Sequence, residues 1–90
     1  MTDRDDELSD VKAELARLIA EAIQARGLTQ RAAADLFEIS QPDVSKIARG
    51  KLRPISIERL IACLMALGFN VVIEVEAGQK KRGRVKVVSR

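Results

Sequence analysis

The chain has 90 residues, enough for one domain with a modest core, and 16 Lys and Arg against 13 Asp and Glu give it a formal charge of +3. It has no His, Trp or Tyr, and Phe37 and Phe69 are its only aromatics. That removes the commonest acid-base side chain and metal ligand, and it leaves no stacking platform for single-stranded nucleic acid. With no clustered carboxylate pair and no glycine-rich phosphate loop, neither an enzyme nor a cofactor is expected.

The single cysteine, Cys63, lies in the apolar run IACLM and reads as a small core residue. No apolar run reaches membrane-spanning length, and the opening MTDRDDELSD is acidic, unlike a signal sequence. A cytoplasmic, nucleoid-associated protein is expected. Charge is polarised along the chain: residues 1–10 carry five acids against Arg4, whereas residues 79–90 carry Lys80, Lys81, Arg82, Arg84, Lys86 and Arg90 and no acid.

In chain order, residues 1–9 read as an acidic, flexible leader, residues 10–68 as the folded domain, and residues 69–90 as terminal strands with a basic tail. Leu8, Val11, Leu15, Leu18, Ile19, Ala22 and Ile23 recur at helical spacing, which predicts an amphipathic helix running to Arg26 and closed by Gly27. Its charged face, Lys12, Glu14, Arg17 and Glu21, reads as solvated, with Arg17 and Glu21 spaced for an ion pair.

Residues 28–50, LTQRAAADLFEISQPDVSKIARG, organise the rest. Thr29 is a good N-cap for a helix over residues 30–37. Ser40 opens a second over residues 41–49, with Pro42 in its first turn, Asp43 placed to complete a capping box, and Gly50 as the stop. Val44, Ile47 and Ala48 share one face of the second helix, and Ala33, Ala34, Leu36 and Phe37 supply the facing wall. Gln41, Pro42, Asp43, Ser45, Lys46 and Arg49 remain outside, the groups a helix offers to base edges in a major groove. Asp43 has two readings, acceptor from a cytosine amino group or cap of its own helix.

Gln30 and Gln41, eleven residues apart and each opening a helix, with Ala34 between the helices and Val44 and Ile47 in the core, resemble the lambda-repressor-type (XRE family) helix-turn-helix. The resemblance implies that Gln30 clamps a backbone phosphate and braces Gln41, which bonds adenine. Arg31, beside Gln30, joins the candidate DNA contacts. The tight turn of that family usually carries glycine where this chain has Glu38, so a non-glycine residue is expected at positive φ.

The basic connection KLRPI follows, and Lys51 and Arg53 are candidates for phosphate contacts, which raise affinity without reading sequence. Ser56 caps a last helix over residues 57–67, ended by Gly68, with Arg59 off its apolar stripe as a further phosphate clamp. The period then changes to two. Phe69, Val71, Ile73 and Val75 alternate with Asn70, Val72, Glu74 and Glu76, and after a turn a second alternating run covers residues 84–88. The expected fold is thus mainly α, a four- to five-helix lambda-repressor-like domain with a C-terminal β-strand or hairpin. Phe69, Val71, Val72, Ile73 and Val75 are the candidate dimerisation residues, pairing either within the chain or with the same strand of a second chain.

The function read from this pattern is a sequence-specific regulator, a repressor, whose partners are double-stranded DNA with a pseudo-palindromic operator and a second copy of itself. The phrase SQPDVSKIARGKLRPISIERLIACLMALGFNVVIEVE is also similar to HigA-type and related phage-like antitoxins. That resemblance implies an autoregulating antitoxin with a ribonuclease toxin as partner. The competing class is a protein-interaction module that assembles through the terminal strand and binds no specific DNA.

Overall fold

The computed structural model describes residues 3–90, with side chains from residue 8 onward. It contains α1 (Asp3–Ala25), α2 (Gln30–Phe37), α3 (Gln41–Ala48) and α4 (Ile57–Ala66). Of the leader expected to be flexible, Met1 and Thr2 lie outside the described residues, and from Asp3 on the chain is already helical, ahead of Leu8 where apolar spacing placed the start. Four of residues 3–7 are acidic, a composition that suits the positive end of a helix dipole.

The core forms where α1 packs against α3 and α4. Val11, Leu15, Ala16, Ile19 and Ala22 from α1 meet Ile47 of α3, Leu52 and Ile55 of the connection, and Leu60, Cys63, Leu64 and Leu67 at the chain's last helix. Ile19 and Leu60 are completely buried, each contributing about 1.5–3 kcal/mol by leaving water. A second small cluster, Ala33, Ala34 and Val44, holds α2 against α3, where the two alanines let the backbones approach. Two residues expected on that interface are elsewhere. Leu36 is 41% exposed, and Ala48, at the last turn of α3, is exposed too. An eight-residue helix packed on one side cannot bury four adjacent wall positions, so Ala33 and Ala34 fill the contact and Leu36 turns outward.

All four helices end in the same way. The residue after the last helical turn takes positive φ in Gly27 (63°), Glu38 (58°), Gly50 (74°) and Gly68 (90°). The next amide reaches back to the carbonyl five residues earlier, as in Leu28 to Ile23 (3.0 Å), Ile39 to Ala34 (3.1 Å), Lys51 to Lys46 (2.8 Å) and Phe69 to Leu64 (3.0 Å). These are Schellman closures, which satisfy carbonyls that a helix end leaves orphaned. Glu38 is the exception among three glycines. The left-handed conformation costs a residue with a Cβ about 1–2 kcal/mol, and Ile39, packed against Ala33, Ala34 and Val44, helps hold it there.

Three polar contacts tie distant parts together. The Arg26 guanidinium donates to the Leu67 carbonyl, fastening the end of α1 to the end of α4. Lys12, read from sequence as merely solvated, donates from Nζ to the Leu52 and Arg53 carbonyls at 3.2 and 3.4 Å and so fixes the connection after α3. Arg59 of α4 pairs with Asp43 of α3 at 2.8 Å. On the open face of α1, Arg17 bridges Glu14 (2.8 Å) and Glu21 (2.5 Å), which raises its own pKa and lowers that of Glu14; these side chains lie at the surface, in contact with water, and little stability follows.

The C-terminal expectation needs correction. No strand forms among the described residues: residues 69–78 and 83–90 carry no ladder, and residues 79–82 only bend. A two-stranded hairpin is marginal in water, and the seven-residue connection over 77–83, rich in cations, exceeds the roughly two to five residues of ordinary hairpin loops. Instead, Val71 and Val87 each reach back to the helical core. Phe69, Val72, Ile73 and Val75 are exposed, Val75 to 93%. Val71, expected beside them, is therefore engaged by its own chain.

Candidate nucleic-acid interface

The surface is built by caps. Thr29 Oγ1 accepts from the Ala32 amide at 3.0 Å, starting α2, and Ser40 Oγ accepts from the Asp43 amide at 3.2 Å, starting α3. Each such bond satisfies one orphan donor, and replacing the cap by alanine typically costs about 1 kcal/mol. Pro42 sits in the first turn of α3, where its missing amide hydrogen is no loss. The reciprocal half of the expected capping box is absent. The Asp43 carboxylate turns away from its own helix start to Arg59 (2.8 Å) and Lys46 (3.7 Å).

Burying Val44 and Ile47 presents the opposite face of α3 outward. Gln41, Pro42 and Arg49 are exposed, while Asp43, Ser45 and Lys46 are half-buried. On α2, Gln30 and Arg31 are exposed at the N-terminal turn. Gln30 and Arg49 line one groove of about 640 Å³ with Arg17, Gln24 and Gly50, so the start of α2 and the end of α3 open onto a shared surface. Neither the Gln30 nor the Gln41 side chain is hydrogen-bonded to another described residue; the brace between them implied by the family resemblance is not formed in the free chain.

In the connection after α3, Leu52 and Ile55 point into the core and Lys51 and Arg53 point to solvent. With Lys12 holding the Leu52 and Arg53 carbonyls, the two cations project from a fixed backbone. Arg59, read from sequence as a phosphate clamp, and Lys12, read as solvated, have structural partners that sequence reading missed. Their partners lie 16 and about 40 positions away, and no local pattern carries such a signal.

The remaining ionisable group of interest points away from chemistry. Burial pushes the Cys63 thiol up from its ordinary range, only partly offset by the nearby Arg59 charge, so it is a protonated core group rather than a nucleophile. Among the described residues no group of His, Cys, Asp and Glu could hold a metal ion, and no helix is long and apolar enough to cross a membrane.

Comparison with known proteins agrees with the geometry. The helix-turn-helix domain family matches residues 1–76. The chain belongs to that family. It is also similar to a solved structure described as a "Putative XRE Family Transcriptional Regulator", at 35% identity and a TM-score of 0.87, over 96% of this chain and 99% of that one. No curated protein matches it. The XRE-like fold expected from Gln30, Gln41 and the alanine interface is therefore present, without the terminal strand.

Proposed function

We propose that this helix-turn-helix protein is a sequence-specific double-stranded DNA-binding regulator that acts as a homodimeric repressor. The observation that carries the reading is the outward face of α3, with Gln41 exposed at its capped start, flanked by the α2 N-terminus and by Lys51 and Arg53 on a pinned loop. In the major groove, Gln41 can pair with the N6 and N7 edge of adenine, the amide geometry that discriminates this base. Gln30, Arg31 and the free amides opening α2 suit a backbone phosphate, and Lys51 and Arg53 suit two more. These contacts set register and affinity; the α3 face sets sequence preference.

A single α3 offers few base contacts. Two protomers on a pseudo-palindromic site, with half-sites about one helical turn apart, add theirs within one complex. The segment after Gly68 supports this arrangement: Val72, Ile73 and Val75 are exposed and its backbone has no ladder partner, while Glu74 and Glu76 complement Arg84 and Lys86. Pairing with the same segment of a second chain would supply the ladder that one chain lacks.

The narrower reading, an autoregulating antitoxin, rests on the resemblance to HigA-type antitoxins, and its test is co-purification with the product of the adjacent gene. For the regulator itself the test is binding to DNA from upstream of its own gene and to random DNA across a salt series. Preference for the upstream fragment, weakening steeply with salt and saturating at two protomers per site, is the expected result. A salt-insensitive interaction with no preference would favour the assembly module instead.

A further inference from the structure

The first turn of α3 carries an anion, Asp43, on the face proposed to meet a polyanion. A bare carboxylate there would repel phosphates and the acceptor-rich edge of guanine. It is not bare. One oxygen accepts from Arg59 Nη1 at 2.8 Å, and the other lies 3.7 Å from Lys46 Nζ, so one anion sits in a fork of two cations. The Asp43 side chain is 22% exposed, whereas those of Lys46 and Arg59 are 41% and 47% exposed, which sets the carboxylate deeper and leaves the cations facing out.

Arg59 starts from a fixed point. It stands in the first turn of α4, where its amide donates to Ser56 Oγ at 3.1 Å. Of the five donors on its guanidinium, Asp43 engages Nη1 alone, and the rest of a half-exposed fork stays open to a ligand. Resting on that regulator reading, we infer that Asp43 is a specificity-determining positioning residue, aiming Arg59 of α4 and Lys46 of α3 at one place on the DNA and withholding them from phosphates elsewhere. Arg59 thereby joins the reading surface although it belongs to a different helix.

The physical argument has two parts. A guanidinium already held on one side has fewer orientations in which to meet a phosphate, so it binds well only where the DNA offers an acceptor in line with its open donors. The carboxylate also penalises registers that place an acceptor against it, and tolerates a cytosine amino group. Removing the carboxylate would turn Arg59 and Lys46 into mobile cations that bind any duplex.

The experiment uses the full chain and a duplex enriched from a random-sequence pool by the wild-type protein, with random duplex as the reference. Asp43→Asn, isosteric and uncharged, is expected to raise affinity for random duplex, steepen the salt dependence, and lower the ratio of selected to random binding by about tenfold. Arg59→Ala is expected to weaken both duplexes and flatten the salt slope by about one. In the Arg59→Ala background most of the effect of Asp43→Asn on the ratio should vanish. Arg59→Lys, which keeps the charge and loses the fork, should keep the slope and lose discrimination. A merely structural Asp43 would weaken every duplex with the slope unchanged. That result overturns the inference, as does an Asp43→Asn effect that persists in full without Arg59. If the wild type enriches no sequence, the regulator reading falls and this one with it; if it enriches a site while the two substitutions simply add, this one falls alone.

Discussion

The helical domain and the segment after Gly68 differ in where their partners lie. Among the described residues every buried side chain is at or before Leu67, and each helix closes its own end by a bond to a carbonyl five residues back. Beyond Gly68 nothing is fully buried, the backbone has no ladder, and Val72, Ile73, Val75, Val85 and Val88 face solvent. Both regions are patterned. A helix satisfies its backbone within itself and needs a partner only for one face, whereas a strand needs a second strand before its pattern has any effect.

The sharpest way to break this contrast is to cut into each region equally. Ile19→Ala, at a completely buried position, should cost about 2–5 kcal/mol and lower the midpoint of thermal unfolding by many degrees. Ile73→Ala, at a position 76% exposed, should stay within about 0.5 kcal/mol at concentrations where the protein is monomeric. Comparable losses would mean that the terminal segment is part of the domain core.

At higher concentration the same residue should behave differently. Ile73→Asp is expected to halve the mass measured by light scattering while leaving the helical circular dichroism intact. An unchanged mass would remove the segment from the dimer interface.

A smaller effect tests the turn inside the motif. Glu38→Gly should stabilise the domain by up to about 1 kcal/mol, the left-handed penalty removed less the extra chain entropy of glycine. Chemical denaturation would report it. A loss instead would show that the Glu38 side chain contributes a contact outweighing the backbone cost.

The smallest effect concerns Cys63. Burial raises its folded pKa above the unfolded value, so the thiol's contribution to stability is complete below its ordinary value of 9.0 and declines as pH rises through the folded one. A thiol reagent at pH 8 should therefore label the folded chain far more slowly than the denatured chain. Rapid labelling of the folded chain would contradict its buried, protonated state.

These differences also mark what was legible in advance. The bounds of α2 follow from Thr29 and the turn at Glu38, those of α3 from Ser40 and Gly50, because caps and positive φ are decided by a few neighbouring residues. Of the candidate interface, the exposure of Gln30, Arg31, Gln41, Pro42 and Arg49 was legible, as the outward face those caps create, whereas the partners of Asp43 were not. Arg59 on Asp43 and Lys12 on the loop carbonyls were not, since each depends on how two helices pack. The alternation of Phe69, Val71, Ile73 and Val75 was misleading for a related reason: it records a preference for pairing and says nothing of whether the partner is in the same chain.

In the proposed regulator, α3 reads bases while the loop after it holds the DNA backbone. The most direct test compares Gln41→Ala with Lys51→Ala on a selected duplex and on random DNA over a range of salt. Gln41→Ala should lose about 1–3 kcal/mol on the selected site and relax preference at one base position, and Lys51→Ala should weaken all DNA alike and flatten the salt slope. Equal losses from both substitutions on every sequence would contradict the account.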